Sequence, residues 1–472
     1  MKNIEYKKMF SARGIVIAIF IMIASACIAE KPNQLPSGPK GPGRFGAYYT
    51  TLKYDEAWDK PWRIGPDADV IVRFDNAAHK FVFWRGTSYI PCWVTDTDIW
   101  YTNEFVERRG SHSPNTEGCV EPMSDKQCRF SHVRIIENTD ARVVVHWRYA
   151  PVDVHYNHPF IHPETGWSDW VDEYYTIYPD SIGVRKITAH TTRPDMFMEW
   201  HEAIVINQPG TRPEDNIELG AVSVANMKGK SRTYVWNENG SPLFDDPIDA
   251  NIMKINLKAK HKPFAIIPPT SQKDIQVVRP YKGHGIGSFF NFWDHWPVAQ
   301  EASDGRKATS ANRPSHSSVA QFGKIEGGWE YYGKGEDWLS KVLLHGMTDK
   351  PVEDLIPLAK SWVNAPILEI EGKTYSSNGF EPAERAYQIT NTTNKEGKKL
   401  ELRILADEEH PIVNPAFVIN NWGHSNAALK LDGKKVKQGN TFRLGHRQTL
   451  EGTDLIVWIR TESTKPVQLV LQ

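Results

Sequence analysis

The sequence predicts an all-β protein: a large layered antiparallel β-sandwich of the super-sandwich type, followed by a small C-terminal β-sandwich. Three observations predict it. Short apolar runs alternate in period two from about Asp67 onward, as in ADVIVRF, KFVFWRG, SYIPCWV and IWYTNEFVE. β-Branched and aromatic residues are abundant, with 17 Trp, 17 Tyr and 19 Phe in 472 residues. Helical spacing is rare, so a doubly wound or barrel α/β fold is excluded. A chain of this length also exceeds one ordinary domain.

The amino terminus reads as an export signal. Lys2, Lys7, Lys8 and Arg13 precede the apolar run GIVIAIFIMIASA, which is too short for an ordinary spanning helix and ends in small residues. Residues 1–26 are assigned as a signal peptide. Ala24-Ser25-Ala26-Cys27 permits either cleavage or lipidation at Cys27, so the protein is expected to be secreted or a cell-surface or periplasmic lipoprotein. Residues 27–46, rich in Pro and Gly, form a flexible linker.

Residues 47–364 are expected to form the main β-domain. HVRIIEN and ARVVVHWRYA read as a hairpin around Asn138-Thr139-Asp140. Arg142, Val144, His146 and Arg148 share one face of its second strand, and Val143, Val145, Trp147 and Tyr149 the other. Further strands follow in DWVDEYYTIYPDSIGVRKITAH, MEWHEAIVIN, AVSVANM, RTYVWN and KPFAIIPP. A short helix is predicted in VEDLIPLAKSWVNAP from the spacing of Leu355, Leu358, Ala359 and Trp362, broken at Pro366. From 365 to 472 strands return with Gly- and Asn-bearing turns, and this segment is assigned as a separate antiparallel sandwich.

The segment from Tyr281 to Ser318 concentrates imidazole, guanidinium, indole and glycine in a loop-like stretch. His295 and His316 are candidate proton acceptors, Arg306 and Arg313 are fixed cationic forks, and Trp293 and Trp296 are flat apolar faces, the equipment of a sugar-acid site. A formal net charge of -1 argues against a basic nucleic-acid footprint. Cys119 and Cys128 close a short loop, and export makes a disulfide between them permissible, with Cys92 single. No CxxC or HExxH spacing occurs, so no structural zinc site is expected. No cofactor is required by the sequence, although a divalent cation is compatible with it.

Several blocks carry a resemblance: RGTSYIPCW, EPMSDKQCRFSHVRIIEN, VVVHWRYAPVDV and FWDHWPVAQEASDGRKATSANRPSHSS. Spanning Arg85 to Ser318, they resemble the exported ulvan lyases of marine bacterial polysaccharide-degradation loci. The resemblance implies a polysaccharide lyase that cuts a sulfated rhamnose–uronic acid polymer by β-elimination. Such chemistry must neutralise the uronate carboxylate, remove the C5 proton and protonate the departing O4.

On that scheme Arg313 is the carboxylate clamp, His316 or His295 the base and Tyr281 the acid. Arg306 and Lys307 would meet sulfate, while Trp293 and Trp296 stack on sugar faces. Arg134, His146 and Tyr149, with Arg85 at a strand end, are further substrate-binding candidates. Two other classes are open. A glycoside hydrolase would draw on Glu199, Glu202, Asp294 and Asp304, and a non-catalytic glycan-binding lipoprotein would use the same tryptophans and arginines without a base.

Overall fold

The computed structural model describes residues 33–55, 59, 66–108, 115–238, 240, 242, 249–269, 277–278, 287–298, 313–322, 329–393 and 399–472. It is an all-β protein. The first sheet has eight strands in the order β1 (Gly46–Thr50), β2 (Asp69–Phe74), β3 (Ala77–Phe83), β4 (Pro91–Val94), β5 (Trp100–Thr102), β10 (Ala203–Asn207), β16 (Ser315–Phe322) and β15 (Val277–Val278).

The second sheet has ten strands. Its path runs β12 (Ser231–Tyr234), β11 (Ile217–Ala225), β13 (Ile252–Leu257), β14 (Lys262–Ile266), β18 (Trp338–Thr348), β9 (Ile182–His190), β8 (Trp170–Ile177), β7 (Val143–Tyr149) and β6 (His132–Asn138), with β17 (Gly333–Lys334) added beside β18. Every pairing in both sheets is antiparallel.

The two sheets share one core in which Phe81, Trp93, Val145, Trp147 and Tyr175 are buried. Alternation along β7 explains the layering: Val143, Val145, Trp147 and Tyr149 point into this core, and His146 and Arg148 lie on the opposite face. One polar network is embedded between the sheets. Arg185 makes two 2.7 Å bonds to Glu173, and Glu173 also accepts from the hydroxyls of Tyr149 (2.9 Å) and Tyr175 (2.5 Å). Arg185 Nη1 then donates to the carbonyls of Asn103 and Trp200, so every side of this buried charge is met.

The helix expected from the 355–362 spacing is present as Ile356–Val363, preceded by a 3₁₀ turn at Val352–Leu355. Its buried Leu358, Ala359 and Trp362 cover one end of the outer face of the large sheet, over Ile182, Val184, Phe264, Val342 and Leu344. Among the described residues, no further helix covers the rest of that face.

The C-terminal strands form two five-stranded sheets. One is β19 (Ile367–Ile370), β22 (Leu400–Leu405), β30 (Val467–Leu471), β25 (Leu429–Leu431) and β26 (Lys434–Val436). The other is β20 (Tyr375–Glu381), β21 (Ala386–Asn391), β24 (Ala416–Asn420), β28 (Thr453–Ile459) and β27 (Phe442–Gln448), with a small ribbon of β23 (Ile412–Val413) and β29 (Glu462–Ser463) alongside. They enclose a second core built on Ile389, Leu400, Ile419, Leu455 and Val457.

This module corrects the antiparallel expectation at one place. β21 and β24 pair in parallel, Tyr387 opposite Phe417, because the chain leaves β21, runs through β22 in the facing sheet and returns. The two cores are joined by an apolar contact of Ala141 and Tyr178 with Val418, Ile456 and Trp458. Ion pairs Arg142–Glu384, Arg385–Asp180 and Arg443–Asp75 surround it.

Candidate active site

Register places a patch of mixed charge and aromatic rings on the uncovered part of the outer face of the large sheet. Opposed residues of antiparallel strands share a face, so the pairings give rows across it. The first row is Arg134, His146, Tyr174 and Lys186; the second is His132, Arg148, Asp172 and Thr188; the third is Trp170, His190 and Trp338. The sequence supplies these rows because β7 to β9 alternate across them, with Val145, Trp147, Tyr175 and Ile187 committed to the core, and β6 joins in register up to its bulge after Ile135.

At its centre is a hydrogen-bonded chain. Arg134 Nε donates to His146 Nδ1 at 3.1 Å, and His146 Nε2 meets Asp172 Oδ1 at 2.7 Å. A guanidinium can only donate, so Nδ1 presents its lone pair to Arg134 and the ring proton sits on Nε2, directed at Asp172. His146 is stacked on Tyr174 with centroids 4.5 Å apart and planes 16° from parallel.

Asp172 is flanked by basic side chains. Arg148 Nε stands 3.9 Å away and His190 Nε2 3.6 Å away. Burial would raise the Asp172 carboxyl, but the bond from His146 and the charges of Arg148 and His190 hold it below the usual carboxylate range. Burial and the neighbouring Asp172 push the Tyr174 phenol up, against Arg134 and Arg148, so it is a proton donor near neutrality. The rim is aromatic. Arg148 lies 3.6 Å over the Trp170 ring, Trp167 packs edge-on against Trp170 at 4.6 Å, and Lys186 faces Tyr332.

The Tyr281–Ser318 segment lands elsewhere. His295 and His316 are brought together, with rings 4.6 Å apart and nearly perpendicular, but each is under 5 % exposed: 3 % and 4 %. His316 Nδ1 is 2.8 Å from the carbonyl of Trp296, and Lys126 Nζ donates to the carbonyl of His295. Arg313 is half-buried and donates to the buried Asp294 at 3.0 Å, so its fork is engaged by a carboxylate of the chain. Trp296 is fully buried and Trp293 nearly so. Neither offers a ring face to a sugar, which corrects that expectation. Tyr281, Arg306, Lys307 and Asp304 lie outside the described residues, as do Cys27 and the amino-terminal signal.

Two more expectations are corrected by packing. Arg85 is an internal tie: it pairs with Asp69 and Asp59, and burial pushes the Asp69 carboxyl up to about 6 despite that guanidinium. Tyr149 lies on the core face, its hydroxyl spent between Glu173 and the Val106 amide. Cys119 and Cys128 are separate thiols. Asp125 accepts from the amides of Arg129 and Phe130, turning the chain at Cys128 (φ 47°) so that its sulfur faces the Arg85 carbonyl. Cys119 lies beside Glu107 and Glu121.

Sequence reasoning passed over Asp172, Tyr174, Lys186 and His190. Their signal was the even-numbered set Trp170, Asp172 and Tyr174 in DWVDEYYTI, which continues the polar face of β7 across the sheet. Glu173, buried with Arg185 on the other face, blurred that alternation.

No protein-family profile matches the chain, and no curated protein does. Among solved structures it is similar to the galactose 1-epimerase from Lactobacillus acidophilus NCFM, at 8% identity and a TM-score of 0.27, over 59% of this chain and 94% of that one. A likeness that distant bears on neither activity nor site.

Proposed function

We propose that the protein is a polysaccharide lyase that cleaves an acidic, uronate-containing polymer such as ulvan by β-elimination on the open face of its large sheet. The observation that carries the reading is the Asp172–His146–Arg134 chain stacked beside Tyr174. Its groups match the three demands of the reaction, and the resemblance of the Arg85–Ser318 blocks to ulvan lyases supports the substrate class.

When a uronate carboxylate draws Arg134 away, the lone pair on His146 Nδ1 is uncovered while Asp172 keeps the other nitrogen protonated and oriented. Nδ1 takes the C5 proton, and the C5–H electron pair becomes the C4=C5 double bond. The C4–O4 bond breaks, and the Tyr174 hydroxyl, a ring-stack away, gives its proton to O4. Arg148 and Lys186 would hold the neighbouring sulfate or carboxylate charges, with Trp167 beneath a sugar ring. Export on residues 1–26, with or without a lipid at Cys27, would bring the enzyme to a polymer too large to enter the cell.

Incubation of purified protein with ulvan tests the reading. An unsaturated uronate absorbing in the near ultraviolet is expected. New reducing ends without that absorbance would mean a hydrolase, and binding without cleavage would mean a glycan-binding protein; either would overturn it.

A further inference from the structure

The molecule holds a second cluster of chemistry, on the opposite side of the large sheet from the open face. Past the end of β5 the backbone of Glu107 pairs with that of Glu199 as an isolated antiparallel bridge, with N–H···O distances of 3.2 and 3.0 Å in the two directions. Directly opposed residues in such a bridge put their side chains on one side, and like charges there repel. Glu104 joins them from a left-handed backbone position, φ 64°. A carboxylate oxygen from each of the three lies within 4.8 Å of the others, and the residues are 2 %, 6 % and 4 % exposed for Glu104, Glu107 and Glu199.

Glu104 adds an observation of a different kind. Its Oε2 is buried and has no hydrogen-bond partner among the described residues. The nearby Arg185 does not supply one, because its guanidinium is bound to Glu173 and to the carbonyls of Asn103 and Trp200, the residues next to Glu104 and Glu199. A buried carboxyl oxygen left so is costly to ionise unless a cation meets it. Oxygens up to about 4.8 Å apart can share one ion at ~2.4 Å each, the calcium–oxygen distance.

The geometry points to a divalent-cation site held by Glu104, Glu107 and Glu199, taking a hard ion of the calcium or manganese class. Three carboxylates and no imidazole suit such an ion better than zinc. The thiol of Cys119 approaches Glu107 with Glu121 in a separate group, which is the place where a softer metal would go. The site is independent of the lyase reading. A bound ion would tie the 104–107 stretch to the 199 stretch and, through Arg108 and its bond to Asp169, brace the start of β8 beneath the open face.

The experiment uses the full protein, stripped with chelator and desalted, then titrated calorimetrically with calcium, manganese and zinc chlorides in separate runs, with melting curves in calcium and in chelator. One calcium or manganese per chain and a higher Tm with the ion are expected. Glu104→Gln should weaken that binding by more than about a hundredfold, since even partners one bond removed from a metal are worth 10- to 100-fold. In chelator the same variant should melt above the wild type, because it removes one of three crowded carboxylates, and in calcium below it. Cys119→Ser should leave calcium binding unchanged. Failure of every hard ion to bind or to raise the Tm of the wild type would overturn the proposal. So would a Glu104→Gln effect of equal sign and size in calcium and chelator, or binding of zinc alone that Cys119→Ser abolishes.

Discussion

The Tyr281–Ser318 segment and the open face of the large sheet are built from the same kinds of residue and come to different ends. In the segment, His295 and His316 pack edge to face under Trp296, and Arg313 is turned onto Asp294. On the open face, His146 is equally buried at 3% exposed, but it lies against Arg134, an exposed side chain, and the ring of Tyr174, and His190 is 39% exposed at the side chain. Imidazole, guanidinium and indole make a site only where a substrate can displace what covers them. In the segment that cover is the chain's own core; on the sheet it includes the exposed side chain of Arg134.

The sharpest way to break the comparison is to remove a group from each region. Tyr174→Phe and His146→Ala should each lower turnover on ulvan by roughly 10²–10⁴-fold, the scale of a lost general acid or base, with Tm little changed for the first. His316→Ala should do the reverse. Its ring fills a buried space and its Nδ1 stands 2.8 Å from the carbonyl of Trp296, so the variant should melt several degrees lower while each folded molecule keeps its rate. Full turnover by Tyr174→Phe together with a dead but stable His316→Ala would move the site to the segment.

The all-β class was legible because short runs rich in β-branched and aromatic residues, some of them alternating, are separated by turns, and so was the polar face of β7, where His146 and Arg148 fall opposite Val145 and Trp147. The covering of the segment was not. Trp293 and Trp296 have the same composition whether they line a cleft or plug a core, and only the bridge between Trp293 and His316 decides it. Tyr149 was placed by parity on the core face, and its polar tip made it attractive as a ligand; the buried Glu173 that satisfies it stands on another strand, beyond the reach of local pattern. The short 119–128 loop suggested a disulfide, but a left-handed turn at Cys128 sends the two sulfurs to different neighbours. The parallel β21–β24 pair depends on which sheet the intervening strand joins, which spacing does not encode.

A smaller effect tests the clamp. Arg134→Ala should raise the KM for ulvan and lower turnover together, by about tenfold overall, since it removes one charge-assisted contact of ~1.4 kcal/mol. The loss should shrink as salt is added, because exposed charges are screened. Equal losses at low and high salt would mean that Arg134 serves only to orient His146.

Asp172 gives a pH signature that distinguishes the open face from the buried segment. Its carboxyl is held below the usual range, against burial, by His146, Arg148 and His190. A depressed carboxylate contributes stability that is present above the unfolded value of about 4 and is lost as pH falls through the lower folded value. Asp172→Asn should therefore melt below the wild type at neutral pH, and the two curves should converge in acid. A gap that stays constant into acid would show that the carboxylate's charge is not what these neighbours hold.

The smallest expected effect comes from comparing two indoles. Trp296 is fully buried and Trp167 is 60% exposed, resting edge-on against Trp170 at the rim of the open face. Trp296→Ala should lower stability by about 3–5 kcal/mol, the usual result of emptying a packed aromatic site. Trp167→Ala should change stability by no more than about 0.5 kcal/mol, as surface substitutions do. If a sugar ring lies on Trp167, the same variant should weaken ulvan binding by roughly fivefold, or ~1 kcal/mol, with turnover at saturation unchanged, because stacking far from the reacting carbon binds ground and transition states alike. An unchanged KM for Trp167→Ala would remove that indole from the substrate path and confine binding to the rows between Arg134 and His190.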